Sequence, residues 1–123
     1  MHFAARREHV ELLIKPSLRE GKYVISDRYV DSTLAYQGYG HGISKKAISN
    51  LQQFVAGDIT PDMTIILDLP IKVGLARAEK RSIEQIEPSR TVEDRYEKMD
   101  ENFHERLRKG FLNIANNNPK IKI

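Results

Sequence analysis

The sequence contains no cysteine, which excludes a disulfide framework, a thiolate metal site and a thiol nucleophile. Its four histidines are dispersed and lack the spacing of metal ligands. No stretch is long and apolar enough to span a membrane, and the first residues lack the apolar core of a signal peptide. We therefore expect a cytoplasmic protein with no structural metal and no membrane partner.

Neither positive nor negative charge predominates. The chain of 123 residues carries 20 Lys and Arg against 17 Asp and Glu, a net charge of +3, which is a small excess on a mixed surface. Aromatic and basic residues are not interleaved, so we expect no nucleic-acid partner. The length and the 40% of hydrophobic residues suit one globular domain or part of one.

Helical patterns and short apolar runs alternate in the first half of the chain. Phe3–Leu18 is predicted to be a helix, which Pro16 is positioned to kink. Tyr23–Asp27 and Thr64–Asp68 are predicted to be buried parallel strands, each ending in aspartate. Between them, a helix capped by Ser44 has apolar residues at helical spacing. These residues are Ile48, Leu51, Phe54 and Val55.

The second half continues the alternation. A further helix is predicted after Pro70, followed by a polar stretch to Arg90 that is typical of a loop. A long helix is predicted from Thr91, with Asp94 in the capping-box position and apolar residues along one face. That face comprises Tyr96, Met99, Phe103, Leu107, Phe111 and Ile114. The final Lys-Ile-Lys-Ile alternates like a strand, but no turn or partner element follows it.

This order of elements predicts an α/β fold, with a parallel sheet and helices on both of its faces. Ligands of such sheets bind beyond the carboxyl ends of the strands. We therefore expect the functional chemistry where Asp27-Arg28-Tyr29 and Asp68 leave their strands.

Residues 27–40 combine charge, hydroxyl groups, aromatic rings and glycine directly after the first predicted strand. Arg28 offers a fork of donors that fits a phosphate, and Asp27 can orient it or hold hydrated Mg²⁺. An ion pair that only closes the end of a strand explains the same two residues. The spacing alone leaves both interpretations open.

Asp27-Arg28-Tyr29, followed by Ser32-Thr33-Leu34-Ala35-Tyr36-Gln37-Gly38, resembles the DRY signature of bacterial-type thymidylate kinases. Residues 3–10 resemble the nucleoside-binding helix of that family, residues 61–68 its following strand and residues 103–111 its long helix. The resemblance implies a three-layer α/β/α fold of the P-loop nucleoside monophosphate kinase type, of which residues 1–123 form one partial domain. It also implies an enzyme that transfers a phosphoryl group from ATP to dTMP, giving dTDP and ADP, in dTTP biosynthesis.

The resemblance implies roles at the dTMP site. Phe3 would stack on the thymine ring, and Arg7, one helical turn further on, would donate to a pyrimidine carbonyl. Without the resemblance, Phe3 would be interpreted as core and Arg7 as solvated surface. Arg28 would hold the 5′-phosphate, with Asp27 beside it and near the hydration shell of Mg²⁺.

Four residues after the DRY triplet complete the implied acceptor site. Ser32 or Thr33 would contact the edge of the base, and Tyr36 would lie against the deoxyribose, where a 2′-hydroxyl would clash. Gln37 is a further candidate for binding dTMP, and a structural role in the glycine loop fits it equally well.

The arginine-bearing stretch at about residues 77–95 corresponds to the LID of the family, which folds over the nucleotides. Protein groups do little covalent chemistry in phosphoryl transfer, so arginines that neutralise the transferred group are the natural catalytic residues. Arg81, Arg90 and Arg95 are the candidates, together with Arg28. A solvated helix end explains any one of these LID arginines as well.

The sequence also departs from the family pattern. It contains no Gly-x-x-x-x-Gly-Lys-Ser/Thr, the P-loop that cradles the ATP phosphates, and it resembles a fragment without that N-terminal loop and without the family's C-terminal strand and helix. We therefore expect this segment alone to be inactive while keeping part of the dTMP site. The resemblance implies a homodimer, to which the Val10–Leu18 and Ile48–Val55 faces can contribute. The alternatives are a noncatalytic truncated remnant and a related deoxynucleoside kinase.

Overall fold

The computed structural model describes residues 2–84 and 99–123, and it describes side chains at residues 3–80 and 99–123. Helix α1 (His2–His9) continues through a π-helical turn (Val10–Ile14) into α2 (Lys15–Arg19). Helix α3 (Val30–Thr33) continues as a π-helical segment (Leu34–Gly40). The later elements are α4 (Lys45–Ala56), β1 (Thr64–Ile65), α5 (Ile71–Glu84), α6 (Glu101–Asn116) and β2 (Ile121–Lys122).

The first predicted helix is confirmed. The irregularity expected at Pro16 takes the form of the π-helical turn that precedes this proline. Proline has no N–H to donate, and its ring crowds the carbonyl one turn earlier, so the regular hydrogen-bond ladder cannot pass through it. The Ser44 cap is also confirmed, since its side chain accepts a hydrogen bond from the Ala47 amide at 3.4 Å.

The strand predictions hold only in part. Thr64–Ile65 pairs in parallel with Ile121–Lys122, which confirms the strand-like alternation of the C-terminal residues with a partner that precedes them in the chain. Tyr23–Asp27 was wrongly predicted as a strand, because residues 22–26 join no ladder within the described ranges. Without a neighbouring strand to hydrogen-bond, Tyr23 and Ile25 are left 100% and 97% exposed.

The long C-terminal helix begins later than its apolar pattern predicts. Residues 99–100 are not helical, and α6 starts at Glu101 with Asp100 as its cap. The Asp100 carboxylate accepts a hydrogen bond from the Phe103 amide at 2.7 Å and so caps the N-terminal end of the helix. The predicted cap at Asp94 and the face position Tyr96 lie outside the described residues.

Two apolar clusters hold the chain together. The first joins Val10 and Ile14 to Ala56 of α4. The second joins Ala35 to Phe103 and Leu107 of α6. Beside the second cluster, Gly40 and Gly110 allow close approach: an added Cβ would lie 2.7 Å from the Phe103 ring at Gly40 and 2.6 Å from the Tyr39 ring at Gly110.

Some of the predicted core faces outward in the described structure. On α4, Ile48 and Val55 are buried while Phe54 is 84% exposed. Leu13 and Leu18, on the apolar stripe of the first helix, are likewise exposed. Among the described helices, none combines the length and the apolar character needed to cross a membrane.

Candidate functional site

Arg6 is the centre of a polar cluster between α1, α3 and α4. Its Nη1 donates to Gln52 Oε1 at 2.9 Å, and its Nη2 donates to Thr33 Oγ1 at 2.8 Å and to the Tyr29 carbonyl at 3.3 Å. Its guanidinium carbon lies 5.0 Å from the centre of the Phe3 ring and 5.2 Å from that of the Tyr29 ring. The guanidinium is thus fixed between two aromatic rings and three neutral acceptors.

The electrostatic surroundings of Arg6 are unusual for an arginine. Desolvation lowers its pKa from the ordinary value, with a smaller opposing effect from Tyr29. No carboxylate within the described ranges forms an ion pair with it. A half-buried guanidinium without an acidic partner is suited to bind a ligand that carries acceptors.

Arg7, the predicted carbonyl donor, has two contacts within the chain. Its Nη1 donates to the Val55 carbonyl at 2.9 Å, and its Nη2 pairs with Glu11 at 3.0 Å. Its side chain is 54% exposed. Phe3, the predicted stacking residue, is half-buried and contacts Arg6 rather than Arg7.

The backbone of Arg28 is strained. Its φ of 64° is the only positive value at a non-glycine residue in the described part of the chain. A residue with a Cβ pays about 1–2 kcal/mol for this conformation, and such strain concentrates at functional sites. The Arg28 guanidinium carbon lies 5.5 Å from the centre of the Tyr36 ring, so this strained residue is held against an aromatic face.

Arg28 and Tyr36 line an open pocket of about 330 Å³ between β1, α5 and α6. On its wall, Arg108 Nε and Nη2 donate to the two carboxylate oxygens of Asp68, each at 2.7 Å. The hydrogen bonds from Arg108 lower the pKa of Asp68. His104 also lines the pocket, and its Nε2 is buried without a hydrogen-bond partner among the described residues.

The other predicted site residues fall into three groups. Thr33 is buried and contacts Arg6, whereas Ser32 and Gln37 are half-buried on the same segment. Asp27 is exposed beside Arg28. Three predicted LID residues have side chains outside the described part of the structure: Arg81, Arg90 and Arg95.

Within the described ranges, no group of three or more His, Cys, Asp or Glu side chains is arranged to hold a metal ion. Asp27 can offer one exposed carboxylate. One carboxylate fits Mg²⁺ only where phosphate oxygens and water complete its octahedral shell.

Sequence reasoning missed Arg6, Gln52 and the pair formed by Asp68 with Arg108. Residues three and four apart share a helix face, so the position of Phe3 cannot decide between Arg6 and Arg7. A clue to Gln52 was available, since it lies between the apolar positions Leu51 and Val55 on the predicted inner face of α4. Nothing in the sequence links Asp68 to Arg108.

The parallel pairing of β1 with β2 and the flanking helices place the chain in the α/β class of folds. The family model for thymidylate kinase matches residues 1–123. The chain belongs to the thymidylate kinase family.

Individual relatives agree with this assignment. The chain is 46% identical over 119 residues to a thymidylate kinase of Geobacter sulfurreducens, covering 97% of this chain and 54% of that protein. It is 46% identical over 114 residues to a thymidylate kinase of Wolbachia pipientis wMel, covering 93% and 52%. The chain therefore spans about half the length of the curated relatives it matches.

A solved structure supports the fold. The crystal structure of thymidylate kinase from Ehrlichia chaffeensis superposes with a TM-score of 0.70 at 36% identity, covering 98% of this chain and 52% of that one. The predicted fold class, a parallel sheet with helices of the nucleoside monophosphate kinase type, is thereby confirmed.

Proposed function

We propose that this chain carries the dTMP-binding half of a thymidylate kinase, which transfers a phosphoryl group from ATP to dTMP in dTTP biosynthesis. The observation that supports this most is Arg6, a half-buried guanidinium with aromatic neighbours and no acidic partner among the described residues. A planar base with carbonyl acceptors matches that arrangement.

At the base end, Phe3 stacks on thymine and Arg6 donates to a pyrimidine carbonyl. Arg6 is the better candidate than Arg7, because Arg6 lies against the Phe3 and Tyr29 rings, whereas Arg7 is exposed and pairs with Glu11. Ser32 and Thr33 follow Tyr29 on the segment that faces Arg6, and Thr33 contacts it directly. Their hydroxyl groups can therefore read the edge of the base.

At the phosphate end, Arg28 binds the 5′-phosphate of dTMP. Its planar fork suits two phosphate oxygens, and the Tyr36 ring supports it from one side. Tyr36 also offers a flat surface to the deoxyribose. Asp27 orients Arg28, and Gln37 adds a polar contact from the same segment.

The transfer itself needs positioning and charge neutralisation. The acceptor phosphate is already a dianion near neutral pH, so no general base is required. Arg28 together with Arg81, Arg90 and Arg95 neutralises the transferred group, and the LID stretch at residues 77–95 supplies the last three. This assignment rests on the family resemblance of that stretch.

ATP and Mg²⁺ are the co-substrate and metal of the proposed reaction. The sequence holds no Gly-x-x-x-x-Gly-Lys-Ser/Thr cradle for the ATP phosphates, so the residues at hand fit dTMP and do not fit ATP. Asp27 would reach hydrated Mg²⁺ through water. We accordingly expect no turnover from this segment alone.

A homodimer in the cytoplasm is the proposed setting. Leu12 and Leu13 on one helix and Leu51 and Phe54 on another are exposed. Such apolar surface is typical of a face that another chain covers. These side chains belong to the two helical faces predicted to meet in the dimer.

Thermal unfolding with a panel of ligands tests the proposed function. We expect dTMP to raise the unfolding midpoint more than dUMP, dCMP or thymidine does. Arg28→Ala should weaken dTMP binding by about tenfold or more, because a charge-assisted hydrogen bond is lost. The strain at residue 28 is unchanged, since alanine also carries a Cβ.

Lys46→Ala is the matched control for Arg28→Ala, because Lys46 is an exposed cation on α4. It should leave the dTMP effect intact. Equal protection by thymidine and dTMP would contradict phosphate recognition by Arg28 and favour a deoxynucleoside kinase. No protection by any of these ligands would favour a noncatalytic remnant.

A further inference from the structure

Gln52 is a polar residue in the wall of the proposed site to which the family resemblance assigns no role. It is only 8% exposed and lies on the inner face of α4. Its Oε1 accepts the hydrogen bond from Arg6 Nη1. Position 52 therefore connects α4 to the helix that carries Arg6.

The Gln52 amide is only half satisfied. Its Nε2 is buried and has no hydrogen-bond partner within the part of the chain that the structure describes. A buried donor without a partner lowers stability, whereas a leucine of similar size would fill the position without that cost. Reversing the amide would direct its donors at the guanidinium, so Oε1 must face Arg6. Apolar packing therefore does not require a glutamine here, and the hydrogen bond from Arg6 is the contact that a leucine would lose.

The hydrogen bonds on Arg6 are divided unequally between the two arms of its fork. Nη2 is held twice, by Thr33 Oγ1 and by the Tyr29 carbonyl, while among the described residues Nη1 is held by Gln52 alone. A planar guanidinium fixed on both arms has one orientation in its plane, whereas one fixed on a single arm can swing. The neighbouring ring of Phe3 limits tilting but does not limit rotation within the plane.

We propose that Gln52 is a positioning residue, whose Oε1 fixes the orientation of the Arg6 guanidinium so that its remaining N–H groups meet an acceptor on the pyrimidine. The identity of that ligand rests on the proposed function. The orientation of Arg6 is a property of the ligand-free chain and can be measured without it. A preoriented fork binds more tightly because less freedom is lost on binding.

Three variants of the whole chain test this role. Gln52→Leu removes the acceptor and keeps the volume, whereas Gln52→Glu keeps an oxygen facing Arg6. Gln53→Leu is the matched control, because Gln53 is the exposed neighbour on the same helix and its side-chain amide donates to the exposed Asp58 at 3.1 Å. Each variant is measured for ligand-free thermal unfolding, for the Nε–Hε NMR signal of Arg6, and for dTMP affinity.

Gln52→Leu removes a buried donor without a partner and also removes the acceptor of Arg6 Nη1, so we expect its unfolding temperature to change little. Its Arg6 Nε–Hε signal should shift and broaden, and its dTMP affinity should fall roughly tenfold, the loss typical of a misplaced charged hydrogen bond. Gln52→Glu should keep the sharp Arg6 signal. Gln53→Leu should match the unmodified chain in the Arg6 signal and in dTMP affinity.

Two outcomes would overturn the positioning role. An unchanged Arg6 signal in Gln52→Leu would show that Gln52 does not orient the guanidinium. Failure of Gln52→Leu to fold where Gln53→Leu folds would show that the glutamine serves the fold. If the unmodified chain binds no dTMP, the proposed function fails, and the Arg6 signal still decides the role of Gln52.

Discussion

Two adjacent arginines occupy opposite environments on the first helix. Arg6 is half-buried without an acidic partner among the described residues, so no ion pair offsets its desolvation. Arg7 is exposed and pairs with Glu11 one turn along the helix. Removing the Arg6 side chain should therefore abolish ligand binding, whereas removing the Arg7 side chain should lower only the free energy of unfolding.

Arg6→Met should lower the free energy of unfolding, because the buried Gln52 Oε1 and Thr33 Oγ1 lose the donor that they share, and dTMP binding should be lost. Arg7→Met should cost about 0.5–1 kcal/mol, the usual worth of an exposed helical pair and one hydrogen bond. It should leave dTMP binding in place. Urea unfolding and calorimetric titration of both variants test this, and loss of dTMP binding in Arg7→Met alone would restore Arg7 as the base-binding residue.

The sequence could predict that an arginine lies on the face of Phe3, but it could not say which one. Both positions meet the helical spacing, and the choice depends on where α3 and α4 pack. Arg28 could be predicted as a residue after a strand, whereas its positive φ follows from tertiary packing that no local pattern encodes.

Asp31 should make stability depend on pH. Burial raises its pKa, and the hydrogen bond from the Thr64 hydroxyl at 3.3 Å opposes that shift. Because its pKa is higher in the folded than in the unfolded chain, the Asp31 contribution to stability should fall as pH rises through that folded pKa. Asp31→Asn keeps an acceptor for Thr64 and should be more stable than the unmodified chain at pH 7.

The stability advantage of Asp31→Asn should disappear below the ordinary aspartate pKa of 3.8, where both side chains are neutral. Thermal unfolding of the two chains across this range measures it. A stability difference that is independent of pH would show that charge burial at Asp31 is not its cause.

At the scale of elements, close approach between the Leu34–Gly40 segment and α6 depends on two glycines. The Phe103 ring occupies the space beside Gly40, and the Tyr39 ring occupies the space beside Gly110. The segment that carries Tyr36 and Gln37 is therefore held against α6 by reciprocal ring-on-glycine contacts.

Gly110→Ala should destabilise the chain by about 1–3 kcal/mol, because its Cβ would meet the Tyr39 ring and force the helix away. Gly74→Ala on α5 is the matched control, since its Cβ would lie at an ordinary 3.6 Å from Leu69. That control should be neutral or gain about 0.5–1 kcal/mol from better helix propensity. Equal costs at both positions in urea unfolding would contradict the packing argument.

Helices were predicted more reliably than strands, for a physical reason. The Ser44 cap and the apolar spacing of α4 are local signals that survive in any surroundings. A strand needs a partner to bond with, and Tyr23–Asp27 has none among the described residues. The start of α6 was misplaced because Asp100, rather than an earlier residue, caps it.

At the scale of the whole molecule, several large apolar side chains are exposed on the described surface. Tyr23, Ile25 and Leu67 are each at least 90% exposed. Phe54 is similarly exposed on α4, which belongs to the proposed dimer face. We expect the surface around Ile25 and Leu67 to cause nonspecific aggregation, and the surface around Phe54 to form a dimer.

Light scattering should detect association of the chain at micromolar concentration. Ile25→Lys and Leu67→Lys together should reduce nonspecific aggregation, since charge protects exposed strand-like segments. Phe54→Lys should instead abolish a discrete dimer. A dimer that survives Phe54→Lys would contradict the proposed α4 interface.

Titration of dTMP into the chain, followed through the arginine side-chain NMR signals, tests the central claim most directly. The account predicts saturable shifts at Arg6 and Arg28, with little change at Arg7 and at Arg19, an exposed control at the end of α2. Shifts at Arg7 without Arg6, or no saturable shift at either Arg6 or Arg28, would contradict a dTMP site built from these residues.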